Sequence, residues 1–81
     1  SNDPEVMGER NEWVRMFRRL ERINDLPDIG TMEKIKDAFQ ECLIAFIQAH
    51  GSISGCDAPY LISDGIRNLC VLEEILERMK R

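Results

Sequence analysis

Between Ile35 and Ala49 the chain reads IKDAFQECLIAFIQA, and the six residues Cys42 to Ile47 run without a polar side chain. No other stretch is as constraining. Stepped at about 100° per residue, Ile35, Ala38, Phe39, Cys42, Phe46 and Ala49 fall on one face, so the stretch is a helix. A strand would need apolar and polar residues in strict alternation. Leu43 and Ile47 widen the apolar face on one side and Ala45 on the other. Glu33, Lys36, Asp37 and Gln40 give the first half a polar back. The second half barely has one, because Ile44 lies near the Asp37/Gln40/Gln48 side. A helix apolar nearly all round is covered on several sides. Two further helices, or those plus a second copy of the chain, must cover this one. The apolar run is too short for a bilayer, which takes about 20 consecutive apolar residues.

The cover is present on both sides. Asp3-Pro4-Glu5 reads as a helix start, with a capping aspartate and proline at the first helical position. Trp13, Met16, Phe17, Leu20 and Ile23 then repeat at helical spacing and predict a helix over residues 4–24 whose Trp13/Phe17 pair packs on the central helix. Gly8 weakens the first turns, which contain Met7. NDLPDIG (24–30) is a connector, with Leu26 and Ile29 tucked back as pins. Thr31 caps the central helix, predicted over 31–50, and Gly51 ends it in the left-handed conformation. The loosest segment is GSISGC (51–56). Asp57 and Pro59 open a third helix over 58–80, with Ile62, Ile66, Leu69, Leu72, Leu76 and Met79 on one face. A break at Ser63-Asp64-Gly65 is the alternative. Glu74/Arg78 and Glu77/Arg81 form i,i+4 pairs. With short connectors, these elements predict an all-α antiparallel three-helix bundle.

At 81 residues the chain is one domain spanning 1–81, near the small end of what folds alone. Ser1 and Asn2 are compatible with a cloning remnant. Apolar content of 43% and charged content of 32% place it among globular domains and argue against wholesale disorder. The N-terminus lacks a signal-peptide pattern. Three cysteines, an odd number, read as reduced thiols of an intracellular protein. Cys42, Cys56, Cys70 and His50 form no zinc-module spacing, so no metal or cofactor is expected. Cys56 is the expected accessible thiol. His50 stands without a motif-placed nucleophile or carboxylate and reads as a helix C-terminal residue, not a general base. The chain reads as a non-enzyme without a small-molecule substrate or membrane span.

Charge supplies the second feature. The net charge is −4, yet Arg15, Arg18, Arg19 and Arg22 recur at i, i+3, i+4, i+7 on the first helix. Glu12 is placed to pair with Arg15 and Glu21 with Arg18, leaving the stripe partly neutralised. Guanidinium forks suit carboxylates and phosphates, so the stripe is read as a partner-binding face for an acidic protein. Nucleic acid is the alternative, opposed by the chain's negative charge. The excess apolar surface on the central helix predicts a homodimer joined through Leu43, Ile44 and Ile47. The expected function is a protein–protein interaction or oligomerisation module with a regulatory, adaptor or assembly role.

Overall fold

The computed structural model describes residues 3–51 and 58–81 and contains three helices: α1, Pro4–Arg22; α2, Ile29–His50; and α3, Ala58–Met79. Together they form an all-α three-helix bundle, a rod of 41 × 18 × 17 Å. The Cys56 reading and the capping role of Asp57 fall outside the described residues.

Each boundary has a local cause. Asp3 is extended, and its carboxylate accepts the Glu5 N–H at 2.9 Å, with Pro4 starting the helix. Such a cap satisfies one of the amides left over at a helix start. The far end of α1 lies two residues earlier than the spacing predicts. Asn24 takes φ +55°, the Asn24 N–H bonds to the Glu21 carbonyl, and the Asp25 N–H bonds to the Leu20 carbonyl at 2.9 Å. This pair of reversed bonds is a Schellman ending, and asparagine tolerates the left-handed residue it requires.

Two expectations at the ends of α2 are corrected. Its N-cap is Asp28, not Thr31, so the helix starts at Ile29. The Asp28 carboxylate accepts both the Thr31 N–H (3.1 Å) and the Thr31 hydroxyl (2.6 Å). Those Thr31 bonds hold its carboxyl below the ordinary aspartate range. Thr31 therefore supports the cap one turn inside. At the other end Gly51 is right-handed (φ −61°, ψ −23°) and simply continues the turn, donating to the Ile47 carbonyl at 2.7 Å.

The α3 helix runs unbroken through Ser63-Asp64-Gly65. It packs along both other helices, whereas α1 and α2 meet each other more sparingly. Spatially the middle helix is thus α3, although α2 is the most apolar. Asn11–Asn68 and Glu21–Arg78 are both 57 residues apart, the constant offset of parallel helices, so α1 and α3 run in the same direction. The core joins Met7, Val14 and Phe17 of α1, Met32, Phe39, Cys42, Leu43 and Phe46 of α2, and Ala58, Leu72, Ile75 and Leu76 of α3. Leu26 and Ile29 pack against it, as their pinning role requires.

The inward face of α1 is rotated from the expected one. Met7, Asn11, Val14 and Phe17 are buried, while Trp13 is 43% exposed, Met16 41% and Ile23 68%. Met7, expected in frayed turns, is completely buried. The reason lies on α3, which presents Asp64, Gly65 and Asn68 as buried positions. The Asn68 amide donates to the Asn11 carbonyl oxygen at 3.0 Å inside the core. Turning α1 to bury Trp13 and Met16 would withdraw Asn11 and leave Asn68 buried alone, which costs about 1–3 kcal/mol. Ile66, expected on the inner face of α3, is likewise 50% exposed.

This amide pair makes a measurable prediction. Asn11 Nδ2 is buried with no acceptor among the described residues, so the pair is only partly satisfied. Asn68→Leu alone should cost about 1–3 kcal/mol by stranding Asn11. The double replacement Asn11→Leu/Asn68→Leu should return most of that loss, because no buried polar group remains. Urea denaturation of both single variants and the double variant gives the coupling. Simple additivity would show that the pair is not a unit.

Candidate interaction surfaces

The arginine stripe expected on α1 is not a single surface. Arg15 turns inward along the α1–α3 seam, where its guanidinium holds the buried Asp64 carboxylate and, at 2.7 Å, Glu12. The Glu12 pairing agrees with the spacing, but Asp64 was not legible as its second partner. These three residues line a cleft of about 430 Å³ with Asn11 and Tyr60. Arg15 is therefore a structural residue, bonded across two helices.

Glu21 also does something other than expected. Its carboxylate binds Arg78 of α3 through a two-pronged contact, Nε to Oε2 at 2.6 Å and Nη2 to Oε1 at 2.8 Å, and does not pair with Arg18. Parallel packing brings position 78 to the level of position 21, a proximity that no local spacing reports. Arg18, Arg19 and Arg22 remain exposed and hold no ion pair among the described residues. They are the part of the stripe available to a partner.

The Arg78 guanidinium holds the Glu21 carboxyl below the ordinary glutamate range, chiefly by hydrogen bonding. A depressed folded-state value contributes stability above the unfolded value and loses it as pH falls through the folded one. Glu21→Gln should therefore be less stable than wild type at neutral pH, with the gap closing below about pH 4. Thermal melts of both proteins from neutral to acid pH measure it. Because half of Arg78 is exposed, the gap should be small and should shrink in high salt.

The expected self-association set divides in the same way. Leu43 is buried within the single molecule, with its Cδ1 directly over Gly65, so it is removed from the set. Ile44 and Ile47 are exposed, at 48% and 36%. Ile66 joins them. Asp37 and Glu73 face each other across one cleft between α2 and α3. Ile44 lies seven residues beyond Asp37, and Ile66 seven before Glu73. Two turns along each helix restore the same face, so Ile44 and Ile66 edge the same α2–α3 groove.

The His50 ring lies 4.6 Å from Phe46 at the end of α2. Cys42 is buried and Cys70 exposed. Among the described residues no three or more histidine, cysteine or acidic side chains gather as a metal-binding group. Among those residues, too, no helix is long and apolar enough to cross a membrane.

Sequence reasoning missed the outward position of Trp13, Met16 and Ile23. A signal exists in the chain: Met7, Asn11, Val14 and Phe17 recur at i, i+4, i+7 and i+10, a second helical face that holds an asparagine among its apolar residues. The Arg10 guanidinium lies 5.4 Å from the Trp13 ring centre, within the range of a cation–π attraction. No family model, curated protein or solved structure matches the chain.

Proposed function

We propose that this chain is a non-enzymatic interaction module that self-associates and recognises a partner through helix faces. The observation that carries the reading is Ile44 and Ile66 held outward at the edge of the α2–α3 groove, with Ile47 exposed one turn beyond Ile44. Isolated exposed apolar residues are ordinary, but several large ones along one edge form the kind of patch that marks an interface. In a homodimer formed on this edge, a two-fold axis brings the same isoleucines together from both copies. Arg18, Arg19 and Arg22 supply a second surface suited to carboxylates, and so to an acidic protein.

Sedimentation velocity tests the self-association. Wild type should associate at roughly 100 µM, and Ile44→Glu should weaken that association about tenfold or more by placing a charge in the contact. A wild type that stays monomeric throughout, or an Ile44→Glu protein that associates like wild type, removes this edge from the reading. The same arginines keep nucleic acid as a second reading. It requires binding of labelled DNA or RNA that falls steeply with salt and is lost in Arg18→Glu/Arg22→Glu.

A further inference from the structure

The cleft between α1 and α3 holds an incomplete set of hydrogen bonds. Asn11, 1% exposed, lines it together with Gly8, Glu12, Arg15, Tyr60 and Asp64. The Asn11 carbonyl oxygen is taken by Asn68, so the group left without a partner is the donor, Nδ2. Buried donors in folded proteins are nearly always answered. Asp64, also buried, spends Oδ2 on Arg15 and keeps Oδ1 as a further acceptor. Gly8, about one turn before Asn11, leaves the cleft wall open, since a Cβ there would meet nothing within 4 Å.

The order of the contacts shows what covers the Asn11 amide. α1 and α3 run in the same direction, with Asn11 level with Asn68. Arg15 lies one turn beyond Asn11, yet it bonds Asp64, one turn before Asn68. The two contacts therefore cross. Arg15, with 38% of its side chain exposed, is the outer layer and Asn11 the inner one. That cover is a single long side chain, which gives way without moving either helix.

We infer that this cleft binds a primary carboxamide carried on a small apolar body. The carboxamide oxygen accepts from Asn11 Nδ2, and its amino group donates to Asp64 Oδ1 and, at the rim, to Glu12. Leu61 and exposed Tyr60 line the mouth and cover the apolar body. The site uses none of the residues of the Ile44 edge or of the Arg18, Arg19 and Arg22 surface, and stands or falls without them.

Charge and hydrogen bonding together select this class. Glu12 and Asp64 outnumber Arg15, which is already bonded to both, so a carboxylate or phosphate is repelled. A cation suits the two acids but brings no acceptor for Asn11 Nδ2. A purely apolar ligand would strip water from these groups and replace none of it. A carboxamide is neutral and carries an acceptor beside two donors. It can arrive on a free small molecule or as the side chain of a glutamine in another protein.

Titration of isotope-labelled protein, followed by NMR at the Gly8 backbone and Asn11 side-chain amides, reads the site directly. Benzamide should bind with a Kd of about 1 mM, the range open to so small a ligand. Benzoate and benzylammonium, of the same size, should each bind about tenfold more weakly or worse. Gly8→Leu should abolish the benzamide shifts by filling the open wall. Its helix content and unfolding midpoint should stay at or above wild type, because leucine is the better helix former and meets no obstruction. Displacement of benzamide by acetylglutamine methylamide supports the site with a protein side chain as the source; benzamide binding without that displacement supports it with a small molecule. Signals unmoved up to about 20 mM benzamide, benzoate that binds as well as benzamide, or a Gly8→Leu protein that still binds overturns the site.

Discussion

Phe39→Ala should remove a large share of the chain's stability at room temperature. Phe39 sits in the middle of α2, is 1% exposed, and belongs to a core built from all three helices. Removing a buried aromatic ring costs about 3–5 kcal/mol, as lost burial plus the cavity left behind. A domain this small has about 4–12 kcal/mol of stability in total. The surroundings have limited room to close the gap, because α2 is held at one end by the Asp28 cap and along its length by α3. Urea denaturation followed by circular dichroism should place the midpoint about 2–4 M below wild type. Phe39→Leu, which keeps most of the volume, should recover more than half of the loss. A Phe39→Ala protein with a near-wild-type midpoint would mean that the core is not organised around this ring.

Gly65→Leu should have the next largest effect. A Cβ at position 65 would stand 2.7 Å from Leu43 Cδ1 and 3.1 Å from Met7 Cε, so all three helices converge on this missing side chain. Both neighbours are the ends of flexible chains and can shift for a methyl group. Gly65→Ala should therefore come out within about 1 kcal/mol of wild type, its contact strain offset by the better helix propensity of alanine. Leucine adds three more carbons where no space exists. The helices must part, at about 1–3 kcal/mol or more, and the loss should appear in the unfolding midpoint while α3 itself remains helical. If leucine is tolerated as well as alanine, α3 does not approach α2 and α1 this closely.

The same glycine marks the limit of what the sequence discloses. From the chain alone, the third helix reads as continuous over 58–80, and Gly65 is legible only as part of the alternative break at Ser63-Asp64-Gly65. In the bundle it is a contact residue, and its lack of a side chain is what allows the helix to sit against two neighbours. Local rules read the helices well because capping and periodicity act over a few residues. The Asp3-Pro4 start, the turn at Asn24 and the length of α2 all follow from near neighbours in the chain. Even the miss at Thr31 was local, since Asp28 and Thr31 bond to each other and differ only in which one leads.

What the sequence by itself determined is the number and order of three helices, and the bundle that short connectors force on them. Only the tertiary structure decided which way each helix is turned. Apolar periodicity ranks the faces of α1 by hydrophobicity and chooses the one with Trp13, Met16 and Ile23. The bundle instead buries the face with Asn11, because Asn11 answers Asn68 and, alongside it, Arg15 answers Asp64, bonds between residues about fifty positions apart. A buried amide or carboxylate needs its partner more than a surface tryptophan needs cover. That preference also turns the stripe of Trp13 and Met16 toward solvent.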